Sequence, residues 1–190
     1  MIKTLGLSIT SLTAILCSCV QAQVLTVRLG VHSSCPDGLP GCWSGPYEAL
    51  SALKGIKVDS HCDFRTWMAS ATTDGGQFPD VESLDKAVRA AGQFFYIRGC
   101  EVTVKGTLSR AGDHWELKVP GCDEPVFLVK ANKSHEWDPG ISKERELSQK
   151  ERTAIIGLNS KANNSNIVVT GWLDRPNSKG RLFVEVTRCD

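Results

Sequence analysis

The stretch Cys35–Ile56, CPDGLPGCWSGPYEALSALKGI, constrains the chain more than any other. Gly38, Gly41 and Gly45, with Pro36 and Pro40, argue against regular structure before Ser44. Ser44 can then cap a helix, Pro46 suits its first turn and Gly55 closes it. Pro46, Leu50 and Leu53 fall on one face of that helix. Upstream, Leu25, Val27, Leu29 and Val31 alternate with Thr26 and Arg28, the period of a half-buried strand. A cysteine-bearing loop therefore joins a strand to a helix, which is where a functional site is expected.

The elements that follow continue the pattern. Ile56–Phe64 and Thr66–Thr72 read as two strands. Asp80 caps a helix whose stripe is Val81, Leu84, Val88 and Ala91 and whose stop is Gly92, and Phe94–Ile97 reads as a short fourth strand. Strand–helix–strand–strand–helix–strand is the ferredoxin-like plan. The segments Ala49-Leu50, Leu53-Lys54-Gly55-Ile56 and Ser83-Leu84-Asp85-Lys86-Ala87-Val88-Arg89-Ala90-Ala91-Gly92 resemble the heavy-metal-associated domain family over about Val24–Gly99. That resemblance implies a soft-metal site where the first helix opens. Cys42 stands at the family's second cysteine position, whereas Leu39 holds the first and Asp37 replaces the usual methionine.

Charge and cysteines set the compartment and narrow the partners. Met1–Ala22 carries one cation, Lys3, and an apolar run from Leu5 to Leu16 too short for a membrane span, so it reads as a cleaved export leader. A second reading makes Cys19 a lipid-anchor site. Of 22 Lys and Arg only Lys3 lies in the leader, so the remainder holds 21 against 21 Asp and Glu. A neutral chain does not favour nucleic acid, whose binding depends on excess positive charge. Cys35, Cys42, Cys62, Cys100, Cys122 and Cys189 remain, an even number that in a secreted or periplasmic protein reads as disulfides.

The second half reads as a barrel. Glu101–Ser109, Trp115–Val119, Val126–Val129, Ile167–Leu173 and Arg181–Arg188 are strands, and Ser148-Gln149-Lys150-Glu151 is a capping box for a helix between the third and fourth of them. Three strands, a helix and two strands match a five-stranded OB-like barrel, with Gly106 and Gly171 at strand bends. The expected fold class is α+β: leader 1–22, ferredoxin-like domain 23–99, OB-like barrel 100–190. If Ser109 faces His114 across the first barrel turn, Glu101 falls opposite Cys122, and a Cys100–Cys122 disulfide is expected.

These readings give an exported, non-catalytic binding protein. His32, Cys35 and Cys42 are expected to share one end of the first sheet with His61 and Cys62, a nitrogen and sulfur set suited to a copper- or zinc-like ion. The competing reading oxidises those cysteines and leaves a disulfide-stapled module for a protein partner. A third uses the barrel for oligosaccharide or nucleic acid, with Trp172 as the exposed contact.

Overall fold

The computed structural model describes residues 24–32, 40–63, 67–92, 95–132, 134–138, 141–162, 165–174 and 181–190; the expected leader, with Cys19, lies outside them. The first six elements are β1 (Val24–His32), α1 (Pro40–Ser51), β2 (Ile56–Asp63), β3 (Met68–Thr73), α2 (Val81–Ala91) and β4 (Tyr96–Ala111). β5 (His114–Lys118), β6 (Val126–Lys130), a hairpin of β7 (Ser134–Asp138) and β8 (Ile141–Arg145), α3 (Gln149–Gly157), β9 (Ser165–Asp174) and β10 (Phe183–Cys189) follow. The fold is α+β.

Strands β2-β3-β1-β4 form an antiparallel sheet in that order. Strands β4-β5-β6-β10-β9 close back onto β4 as a five-stranded barrel, with β6 and β10 parallel. β4 belongs to both. The sequence suggests two strands, Phe94–Ile97 and Glu101–Ser109, but one 16-residue strand runs through the expected boundary between 99 and 100. Nothing in Gly99-Cys100-Glu101 breaks an extended chain, because Gly99 pairs directly with Gly30 of β1. Between β6 and α3 the chain also forms the β7–β8 hairpin.

Alternation on β4 decides what is buried. Val102 and Val104 are fully enclosed and join Val27, Leu29 and Val31 of β1 to Val169 of β9 in one continuous core. Trp43 and Leu50 of α1 and Leu84 and Val88 of α2 cover that core over the first sheet. Leu25 departs from the expected stripe: a bulge between Val24 and Thr26 turns it outward, and Val24 takes the buried place. Within α2, Asp80 caps the first turn by accepting from Glu82 N–H, as its sequence suggests. Asp85, one turn later, is buried and accepts 2.8 Å bonds from Ile97 N–H of β4 and Arg89 Nε.

Two local expectations are corrected. α1 begins at Pro40 rather than after Ser44, so Pro46 lies inside the helix and removes one backbone donor there. Pro40 takes the first helical position, where a missing N–H costs nothing. The β4–β5 turn has two residues, Gly112-Asp113, with Gly112 at φ 62°, so Ser109 pairs with Glu116 and not with His114. This two-residue slip moves Cys122 away from Cys100, and both thiols are free. The expected Cys100–Cys122 disulfide is therefore not formed.

Gly106 and Gly171 sit where barrel strands approach closely, as the sequence suggests. A Cβ on Gly106 would stand 2.6 Å from the Lys118 carbonyl oxygen, and one on Gly171 would run into the Glu185 carbonyl. Neither neighbour can yield without breaking the sheet. Gly106→Ala and Gly171→Ala should each lower stability by about 1–3 kcal/mol in urea denaturation. Gly157→Ala, at a helical position with open space, should be neutral or slightly stabilising. Equal effects at all three glycines would contradict the barrel closure.

Candidate functional site

Of the five residues expected at a metal centre, His32 alone has a described side chain. Its ring stacks on Tyr96, its cross-strand partner, at 4.5 Å. Burial, and then the nearby Arg98 cation, lower its pKa. Cys35 and the side chains of Cys42, His61 and Cys62 lie outside the described residues. By backbone register, Cys62 pairs with Ala69, which pairs with Leu29. The strand ends share one end of the sheet as expected, yet Cys62 stands two strands across and three residues along from His32, roughly 14 Å by strand geometry. Among the described residues no group of three or more His, Cys, Asp and Glu could hold a metal ion.

The expected contact at Trp172 is corrected. Its side chain is on the outer barrel face, as alternation requires, but it is only 7% exposed. With Arg98, Glu185 and Val81 it lines a cavity of about 190 Å³ where the first sheet meets the barrel. Burial, followed by the Asp174 charge, raises the pKa of Glu185 there. The three described thiols are equally unlike reactive cysteines: burial pushes Cys100 up to about 12 and also raises Cys122 and Cys189.

A concavity lies elsewhere, along the surface that carries Thr26 and Arg28 of β1, with Tyr47 of α1 at one end and the start of α3 at the other. Two cross-strand rows build its floor. Ser70, Arg28 and Glu101 form the first, on β3, β1 and β4. Thr26, Thr103, Thr170 and Arg188 form the second, on β1, β4, β9 and β10. Paired residues on adjacent antiparallel strands share a face, so shared β4 makes the sheet and barrel exteriors one surface. Two troughs, of about 650 and 490 Å³, share Thr26 and Arg28.

The floor is bonded across its strands. Arg28 donates to Glu101 at 3.1 Å, the Thr103 and Thr170 hydroxyls meet at 3.1 Å, and Arg188 donates to Thr170 Oγ1 at 3.2 Å. The rim is the α3 N-terminus. Glu151 accepts two 2.8 Å bonds from Arg145 and two more from Ser148, completing the capping box expected from the sequence. The troughs and their arginines were not singled out by sequence. Thr26, Arg28 and Thr103 carried the polar half of an alternating pattern, but only the pairing of β4 with both β1 and β9 assembles them.

Comparisons with protein-family models, curated proteins and solved structures found no match.

Hydrogen bonds from Arg145, and then those from Ser148, hold Glu151 down to about 2 from an ordinary 4.5. A depressed carboxylate contributes stability that is complete above the unfolded value and lost as pH falls toward the folded one. The stability difference between wild type and Glu151→Gln should therefore be constant above about pH 5 and shrink between pH 4.5 and about 2. Urea midpoints across that range measure it; a difference independent of pH would contradict the assignment.

Proposed function

We propose that this chain is an exported, non-catalytic binding protein whose ligand lies along the polar trough shared by the first sheet and the barrel. One observation carries the reading: a continuous floor of hydroxyls and arginines from β3 to β10, meeting at Thr26 and Arg28. Its polar groups bond to one another across strands and thus form a fixed template. Fixed donors and acceptors lose little freedom when a ligand arrives, which favours recognition. The β2-β3-β1-β4 order with two helices supports a ferredoxin-like first unit, as in heavy-metal-associated domains. Barrel order β4-β5-β6-β10-β9, with α3 between β6 and β9, supports an OB-like second unit.

A soft metal ion bound near α1 is the second reading, favoured by the place of His32 at the end of β1, immediately before the cysteine-bearing stretch. A disulfide-stapled module for a protein partner is compatible with the trough, since it leaves the described face unchanged.

One block variant tests the main reading. Thr26 is exposed and borders both troughs, and an aromatic residue is well tolerated in a strand. A panel of acidic, neutral and basic peptides and of neutral and acidic oligosaccharides should contain a class that binds wild type and is lost in Thr26→Trp. No binder, or binders indifferent to Thr26→Trp, would overturn the trough as the site. Titration of the same reduced proteins with copper(I) and zinc tests the metal reading, which requires about one ion per chain, lost in Cys42→Ser and kept in Thr26→Trp.

A further inference from the structure

The charge around the trough differs from that of the chain. The whole sequence carries 22 Lys and Arg against 21 Asp and Glu. The 490 Å³ trough is lined by four cations, Arg28, Arg145, Lys150 and Arg188, against two carboxylates, Glu101 and Glu151. Exposure sharpens the contrast. Side chains of Glu101 and Glu151 are 17% and 15% exposed, whereas those of Arg28 and Arg188 are 50% and 49% exposed. Both acids are largely covered, Glu101 accepting from Arg28 and Glu151 from Arg145 and Ser148, whereas the Arg28 and Arg188 side chains are half-exposed.

Those guanidiniums keep donors to spare. Each has five N–H groups in a planar fork suited to carboxylate. Arg28 spends a bond on Glu101, and Arg188 spends bonds on Thr170 and Asp190. Lys150 adds a further charge at the rim. An arriving ligand thus meets cationic donors over threonine hydroxyls.

Spacing selects the ligand's form. Arg28 leans onto Glu101 of β4, and Arg188 onto Thr170 of β9. Glu101 pairs with Trp172, so Thr170 lies one strand across and two residues along. Strand geometry then sets these two anchor residues roughly 8 Å apart, and each guanidinium sits within hydrogen-bond reach of its own anchor. A single carboxylate or phosphate is too small to bridge them. Alternate residues of an extended peptide project from one face about 7 Å apart, which fits. Acidic sugars fit less well, because the described residues lining this part of the trough include no ring for a sugar to stack on, and Tyr47 lies in the adjoining part, away from Arg188.

We propose that the trough binds an extended acidic peptide, with Arg28 and Arg188 receiving carboxylates two residues apart. This rests on the trough being the binding surface. The probe is a fluorescein-labelled octapeptide of alternating Glu and Ser, read by anisotropy at low salt, beside its Gln-Ser counterpart and a heparin-derived octasaccharide. The acidic peptide should bind, weaken as salt rises, and lose about fivefold or more in affinity in each of Arg28→Gln and Arg188→Gln. Arg181→Gln, outside the trough lining, should leave it unchanged, and Thr26→Trp should abolish it.

Failures separate cleanly. Equal binding of the Gln-Ser peptide, preference for the octasaccharide, or displacement by millimolar inorganic phosphate would overturn the acidic-peptide inference. If Thr26→Trp still blocked those ligands, the trough would stand as the site. Acidic-peptide binding unaffected by Thr26→Trp and by both arginine variants would overturn the inference and the trough together.

Discussion

The structure depends on four residues of β4 that pair on both edges at once. Glu101, Val102, Thr103 and Val104 face Arg28, Val27, Thr26 and Val24 of β1 on one side. On the other they face Trp172, Gly171, Thr170 and Val169 of β9. A strand bonded on both edges has no free backbone donors or acceptors there, and its alternation is imposed on both neighbours. Val102 and Val104 therefore point into a core that the sheet and barrel hold in common. Glu101 and Thr103 point into a polar face that the two also hold in common. The trough follows from the same pairing that makes the core.

Glycine makes that sharing sterically feasible. Gly171 sits opposite Val102 on β9, and its missing side chain lets β10 pass close behind. Gly106 does the same where β4 passes into its hairpin with β5. Without these approaches the barrel could not close while β4 still carries β1. Asp85 supplies a separate tie, since its buried carboxylate holds the start of β4 to α2. Ion pairs on the face contribute differently. The half-exposed Arg28–Glu101 and Arg188–Asp190 pairs add little to stability, so their arginines are available for recognition. Arg145–Glu151 is bidentate and tied into a helix cap, a structural role.

Local chemistry was legible where it was self-contained. Asp80 before the α2 stripe, the Ser148/Glu151 box and the alternation of Val102 and Val104 each led to the element observed. The helix in the barrel half and the glycines of its bends were readable for the same reason. What failed depended on partners distant in sequence. Trp172 alternates outward, but it is buried beside a cavity it lines with Arg98 and Val81, which sequence does not place near it. The disulfide expectation failed on a turn length: Gly112 at positive φ permits a two-residue turn, and the register moves by two. The trough was invisible because Thr26, Thr103 and Thr170 are ordinary strand residues until their rows are joined. Cys42 kept its place in the resemblance, whereas Leu39 at the first thiol position left that site incomplete in the sequence itself.

If β4 makes one body of sheet and barrel, they must open together. Native-state hydrogen exchange as a function of urea tests this most directly, with amides of β1, β4 and β9 followed individually. The pairing predicts that the slowest amides of all three strands merge into one opening, with the free energy and urea dependence of global unfolding. A separate opening of β1 at lower free energy, with β9 amides still protected, would contradict it.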